Sequence, residues 1–245
     1  MKLLAFETAT EACSVALYLD GEVRERFELA PRRHAELALP WADALLAEAG
    51  VARAQLDAIA VGRGPGAFTG VRLAIALAQG IALALDRPVV PVSTLEVLAA
   101  GAPADGPARI LAAIDARMGE VYAAAFARAD DGSLRPLDAE RVQPPDRVVL
   151  PQGHDVDLSH EGHDGDWQGV GTGCAAAGGL LAQRLQPALA RVDPAALPHA
   201  ADLARLAAAA FARGGALPPE RVEPAYLRDN VALTLAEQQA LRAAK

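Results

Sequence analysis

From Lys2 to Leu29 apolar and polar residues fall into three short runs. Lys2–Glu7 and Ser14–Leu19 are apolar enough to predict half-buried or buried strands, and the charged alternation of Glu22–Leu29 predicts a third. Asp20-Gly21 is the composition of a two-residue hairpin turn, so the opening reads as a three-stranded meander. The spacing then becomes helical from His34 to Glu48, with Pro40 predicting a bend or restart and Gly50 to Gln55 the end. Ala58–Val61 is a short apolar strand run, and Leu73–Leu85 an apolar helix, with Thr69 at its start. Pro88–Val92 and Thr94–Ala100 predict a further strand and a short helix.

Between Val61 and Leu73 lie Gly62, Gly64, Gly66 and Gly70 with Pro65, which together exclude a helix or strand interior. Such a loop before a helix suits an anion or a closely approaching chain. A Walker loop is excluded, because no lysine stands between Lys2 and Lys245. Gly62, Gly64 and Ala67 fit a dinucleotide fingerprint, but the next strand ends in Ser93-Thr94 with no acid for a ribose. A purely structural tight turn remains open. The helix after the loop has no polar residues except Arg72 and Gln79, so it keeps an apolar second side when one side lies on a sheet. That side is either internal to a larger core or a docking face.

Gly101–Pro107 is a candidate boundary, after which the layout repeats. Arg109–Asp115 and Glu120–Ala127 predict paired strands around a turn at Ala116–Gly119, closed by Asp130-Asp131-Gly132. The expected units are residues 1–102 and 103–221, with a tail of about 222–245 packing back on the first. Within the second, Trp167–Val170 predicts a strand, Gly171-Thr172-Gly173 a turn, and Cys174–Leu185 and His199–Gly214 helices. Val222–Ala232 reads as extended, with a helix from there to Lys245.

The chain has 245 residues, 52% of them hydrophobic, enough for real cores, with only 4% aromatic. A net charge of -8 argues against autonomous binding to nucleic acid or an anionic membrane. No apolar run is expected to cross a bilayer, and Met1–Phe6 lacks a signal-peptide layout, so the expected location is cytoplasmic. Cys13 and Cys174 read as lone buried thiols.

Candidate chemistry is sparse. Glu7-Thr8-Ala9-Thr10 ends the first strand with an acid and two hydroxyls, either part of a phosphate-binding hairpin or a turn held by its threonines. His34 has no neighbouring ligand and reads as a cap or interface residue. Asp115 and Arg117 are either catalytic or an ordinary charged turn. His154, Asp155, Asp157, His160, Glu161, His163 and Asp164 invite a metal, against the simpler reading of a solvated loop.

Four stretches together carry a resemblance: Glu7–Leu17, Gly62–Arg72, Asp115-Ala116-Arg117-Met118-Gly119-Glu120-Val121-Tyr122 and Pro224-Ala225-Tyr226-Leu227-Arg228. They resemble the TsaB (YeaZ) family of bacterial tRNA threonylcarbamoyladenosine biosynthesis proteins. The resemblance implies an α/β actin-like, hexokinase-like ATPase fold of two related domains, degenerate and inactive. It implies a non-catalytic partner of TsaD, which transfers the threonylcarbamoyl group to adenosine 37 of tRNAs reading codons that begin with A. TsaE, an ATPase, joins the assembly, and tRNA is reached only through the complex. Alone, such a protein is expected to form a homodimer. The implied interface uses the two helices after the meander, through His34, Leu37, Trp41, Leu45, Val71, Ala74, Ala78, Ile81 and Leu85. No metal or cofactor of its own is expected. ATP or ADP would bind only at a composite site, with Glu7, Thr8, Thr10, Gly64, Gly66 and Thr69 as this chain's share. The family's usual Asp after the first strand is Glu7 here. The competing readings are a small-molecule kinase or ATPase with Glu7 and Asp115 facing a metal, and an inactive peptidase-like protein, for which no nucleophile constellation is apparent.

Overall fold

The structure, a computed structural model, describes residues 1–151 and 165–228. Two sheets are built on one plan. The first contains β1 (Lys2–Glu7), β2 (Ala12–Leu19), β3 (Glu22–Leu29), β4 (Ala58–Gly62) and β5 (Val89–Val92), in the order β3-β2-β1-β4-β5. β1 to β3 are antiparallel, and β4 and β5 run parallel to β1. The second contains β6 (Arg109–Arg117), β7 (Glu120–Arg128), β8 (Leu134–Pro136), β10 (Trp167–Val170) and β11 (Leu189–Asp193), with β9 (Arg141–Gln143) beside β7. Its order, β8-β7-β6-β10-β11, reproduces the first, antiparallel and parallel pairs included. The repeat expected from the turn signals is therefore a repeat of topology.

Strand alternation divides each sheet between two cores. Leu4 and Phe6 of β1, Val15 and Leu17 of β2, and Ile59 and Val61 of β4 face α1 (His34–Glu48) and α2 (Phe68–Leu85). Leu3, Ala5, Ala58 and Ala60 point the other way, against α5 (Ala200–Ala212). Successive strand residues face opposite sides of a sheet, and every one of these is buried because both faces carry helices. In the second sheet Leu111, Ala113 and Val121 face α4 (Ala176–Leu185). Ile110, Ala112, Ala124 and Phe126 face Leu95, Leu98 and Ala99 of α3 (Thr94–Ala100). Val97 of α3 belongs to the core with α5, so this short helix bridges the two units. Its N-cap Ser93 accepts from the amides of Leu95 and Glu96. Arg128 closes its other end by donating to the carbonyls of Ala99, Ala100 and Ala102.

Several expectations are corrected. α1 runs through Pro40 without restarting, and Pro40 and Glu36, whose carbonyl loses its partner, are both exposed. Residues 200–212, assigned by sequence to the second unit, pack on the first sheet. α4 begins two residues later than expected, and left-handed backbone at Ala177, Gly178 and Gly179 kinks it. By length and apolarity alone α2 suffices to cross a membrane. In the fold it packs on the first sheet by one side, with Ala74, Ala78 and Ala82 fully buried and only a third of the helix buried. The His154–Asp164 cluster and the terminal helix lie outside the described residues.

Ser14, Glu25 and His199 form the tie that brings α5 back. Ser14 Oγ donates to Glu25 Oε1 at 2.7 Å and accepts from the Ala200 amide at 2.8 Å. His199 Nδ1 lies 3.0 Å from Glu25 Oε2, and its ring stacks on Phe27. His199 thus meets the carboxylate instead of the hydroxyl, and Ser14 is fully buried, so the trio has none of the geometry of an activated nucleophile.

Candidate docking face and interlobe cleft

The glycine stretch is a seam between two pieces of backbone. A Cβ on Gly70 would lie 2.0 Å from the Thr8 carbonyl oxygen, and one on Gly66 would lie 2.4 Å from that of Ala9. The Ala67 amide donates to the Ala9 carbonyl at 2.7 Å, and Thr8 Oγ1 donates to the Gly70 carbonyl at 2.8 Å. Glycine is required because the first turn of α2 lies directly on the β1–β2 turn. The structural reading of the loop is therefore correct for Gly66 and Gly70.

Glu7 is buried to 1% exposure behind this seam. Its Oε1 accepts from the Ala9 amide at 2.8 Å and its Oε2 from Thr94 Oγ1 at 3.1 Å. Burial outweighs these bonds and raises its pKa to about 7. The folded chain thus holds this proton more tightly than the unfolded chain. The resulting stabilisation is complete below pH 4.5 and is lost as pH rises through 7. Glu7→Gln is expected to flatten that decline and to make the chain about 3 kcal/mol more stable than wild type at pH 8. Urea titrations at pH 5 and pH 8 test this; an equal gain at both would refute it.

Beside the seam a cleft of about 960 Å³ opens between the units. Thr10, Gly66 and Thr69 line it, together with His34, Arg32, Arg72, Asp115, Arg117, Tyr122, Thr172 and Pro224–Arg228. Glu7, Thr8 and Gly64, expected in the same nucleotide site, do not. Glu7 and Thr8 are consumed by the turn, and Gly64 is buried, its carbonyl accepting from the Thr94 amide. The Ala9 and Ala67 amides, which a phosphate cradle would need, are already bonded within the chain. These residues do not fit a complete phosphate site. Asp115 is turned onto Arg117, accepting from its amide at 2.7 Å and from its guanidinium at 2.8 Å. Of the two acids of the kinase reading, Asp115 lines the cleft while paired with Arg117, and Glu7 does not reach it.

His34 Nε2 lies 3.0 Å from the Thr10 carbonyl and 3.2 Å from that of Ala12. It pins the β1–β2 turn from the start of α1 while its partly exposed ring lines the cleft. Leu45, Val71, Ala74 and Ala78, also expected at the interface, are buried in the first core. Leu37, Trp41, Ile81 and Leu85 pack against that core while remaining half exposed. The outward side of α2 is formed by the exposed Thr69, Ala76, Gly80, Leu83 and Ala84 with the half-buried Leu73 between them, Leu83 being 64% exposed. These positions recur at spacings of three and four, as the Ala74-Ala78-Ala82 row recurs at four, so periodicity separates the two rows without saying which faces the sheet. Ala74, Ala78 and Ala82 face the chain's own sheet together with Val71 and Ile75, the alanines letting the helix lie close on it.

A family model for TsaD, tRNA N6-adenosine threonylcarbamoyltransferase, matches residues 27–235. The chain is 43% identical over 236 residues to the tRNA threonylcarbamoyladenosine biosynthesis protein TsaB of Escherichia coli, covering 95% of this chain and 96% of that protein. The chain belongs to the TsaB family. The Haemophilus influenzae member is 38% identical, with 94% of this chain and 95% of its own length aligned. The solved structure of YeaZ from Pseudomonas aeruginosa superimposes with a TM-score of 0.81 at 45% identity, covering 92% of this chain and 99% of that one. The actin-like, two-unit α/β fold implied by the sequence motifs is thus the fold of the TsaB family, and the relatives' names place the family in tRNA threonylcarbamoyladenosine biosynthesis.

Proposed function

We propose that this chain is the non-catalytic scaffold subunit of tRNA threonylcarbamoyladenosine formation, and that it binds and activates TsaD through α1 and the outward side of α2. The observation that carries this reading is the apolar outer side of α2, where Ala76, Gly80, Leu83 and Ala84 are exposed beside the half-buried Leu37 and Trp41 of α1. A continuous apolar face of this kind is costly in water unless a partner covers it. The match of the chain to the TsaD family model across both helices supports a like-with-like pairing, in which the partner contributes the equivalent helix pair. The same surface would serve a homodimer when TsaD is absent.

The reading leaves the chemistry to the partner, since Glu7 and Asp115 are both engaged within the chain. TsaE joins the assembly, ATP or ADP belongs to a composite site completed by another subunit, and tRNA is held in the cytoplasm by the complex. A net charge of -8 suits a subunit that does not itself grip the phosphate backbone. The test is mass spectrometry of nucleosides from total tRNA after depletion of this protein. Threonylcarbamoyladenosine should disappear, then return with the wild-type chain but not with Gly80→Arg. Its persistence after depletion would overturn the proposal.

A further inference from the structure

Residues 219–228 leave the first unit, cross the cleft and end on the second. The carbonyls of Pro219 and Val222 accept from Gln79 Nε2 of α2 at 2.8 and 3.2 Å, and the Val222 side chain is buried in the first core. The Ala225 amide then donates to the Arg63 carbonyl at 2.9 Å, and Arg72 of α2 donates to the Tyr226 hydroxyl at 2.7 Å. Two residues on, Arg228 donates to Glu120 Oε2 at 2.6 Å and to the Ala116 carbonyl at 3.2 Å, both on the β6–β7 hairpin of the second unit. Arg63 adds a second crossing, donating to both carboxylate oxygens of Glu140 at 3.2 and 2.9 Å.

We infer that this segment is an interlobe strap: it sets the width of the cleft, and it joins α2 mechanically to the β6–β7 hairpin. Among the described residues the chain also crosses between the units from α3 to β6 and from β11 to α5, where α3 and α5 pack together between the sheets. They form a hinge, while Pro224–Arg228 lines the cleft itself. A strap at that place carries any displacement of α2 to the opposite wall. Its anchors are discrete: the Gln79 amide and the buried Val222 at one end, the Ala225 amide and the Tyr226 hydroxyl in the middle, and Arg228 on Glu120 and the Ala116 carbonyl at the other. Charge-assisted hydrogen bonds of this length are among the stronger polar contacts, so removing Arg228 releases one end selectively.

The experiment uses the full chain with spin labels at two exposed positions, Ala47→Cys on α1 and Asp130→Cys beyond β7. Labelled protein is diluted with unlabelled chain so that only the intramolecular distance is read. Arg228→Ala and, separately, Gln79→Ala are expected to give a longer mean distance and a broader distribution, with cooperative melting retained. Arg205→Ala, which breaks an exposed pair with Asp202 inside the first unit, should leave the distribution at its wild-type position. Wild-type distributions for both strap variants would overturn the proposal. No partner or tRNA is present, so the outcome is independent of the scaffold reading.

Discussion

Gly80→Arg is expected to weaken TsaD binding at least about 100-fold, a loss of about 3 kcal/mol, while the chain folds at least as stably as wild type. Gly80 is on the outward side of α2, and a Cβ built there meets no atom within 4 Å. Replacing a mid-helix glycine by arginine improves helix propensity by up to about 1 kcal/mol, so loss of binding could not be blamed on misfolding. At a closed interface the same guanidinium would be desolvated in an apolar setting without a partner. Titration calorimetry with purified TsaD, paired with a urea melt, reads both quantities. Ala78→Arg, which the sequence alone suggests as an interface probe, is a poor choice. Ala78 is fully buried against the sheet, and an arginine there is expected to unfold the chain. Unchanged affinity in Gly80→Arg would remove this face from the interface.

Gly70→Ala is expected to have the opposite signature, a loss of about 3 kcal/mol or more of stability and a fall in melting temperature of about 10 °C. Intrinsic propensity favours alanine over glycine in a helix, so propensity alone predicts stabilisation. The contact decides otherwise. The new Cβ would be 2.0 Å from the Thr8 carbonyl oxygen, which is backbone and cannot swing aside like the end of a long side chain. Either α2 or the β1–β2 turn must retreat, and the bond from Thr8 Oγ1 to the Gly70 carbonyl goes with it. Gly80→Ala, ten residues along the same helix, should gain up to about 1 kcal/mol. Denaturant titration of the two variants side by side tests the contrast; destabilisation of both by equal amounts would count against the seam.

Much of this architecture was legible because its signals are local. Asp20-Gly21 adopts the positive φ angles that a two-residue hairpin needs, and β3 has the bounds that the charge alternation predicted. The bounds of α3 likewise follow from Ser93 and Gly101. What was misread depends on contacts distant in sequence. Whether Ala74 or Leu73 faces outward is decided by how closely β4 approaches, which no periodicity states. The return of α5 to the first sheet rests on Ser14 and Glu25, 186 and 176 residues before the amides they bind. Glu7 and Thr8 looked like ligand groups because an acid and a hydroxyl at a strand end have the same letters whether they face a cleft or a neighbouring helix. Arg72, Tyr226 and Arg228 carried no signal beyond the motifs that contain them, since their roles exist only once the two units are set opposite each other.

The burial of Glu7 also binds two distant positions into a single hereditary unit. A Cβ on Gly62 would fall 2.0 Å from Glu7 Oε2, so the carboxylate occupies the space that any other residue at 62 would fill. Descendants that enlarge position 62 must first shorten position 7, and lineages that keep a glutamate at 7 are locked to glycine at 62. Across the relatives of this chain the two columns should therefore exchange volume in a fixed order of events, leaving a record of co-substitution.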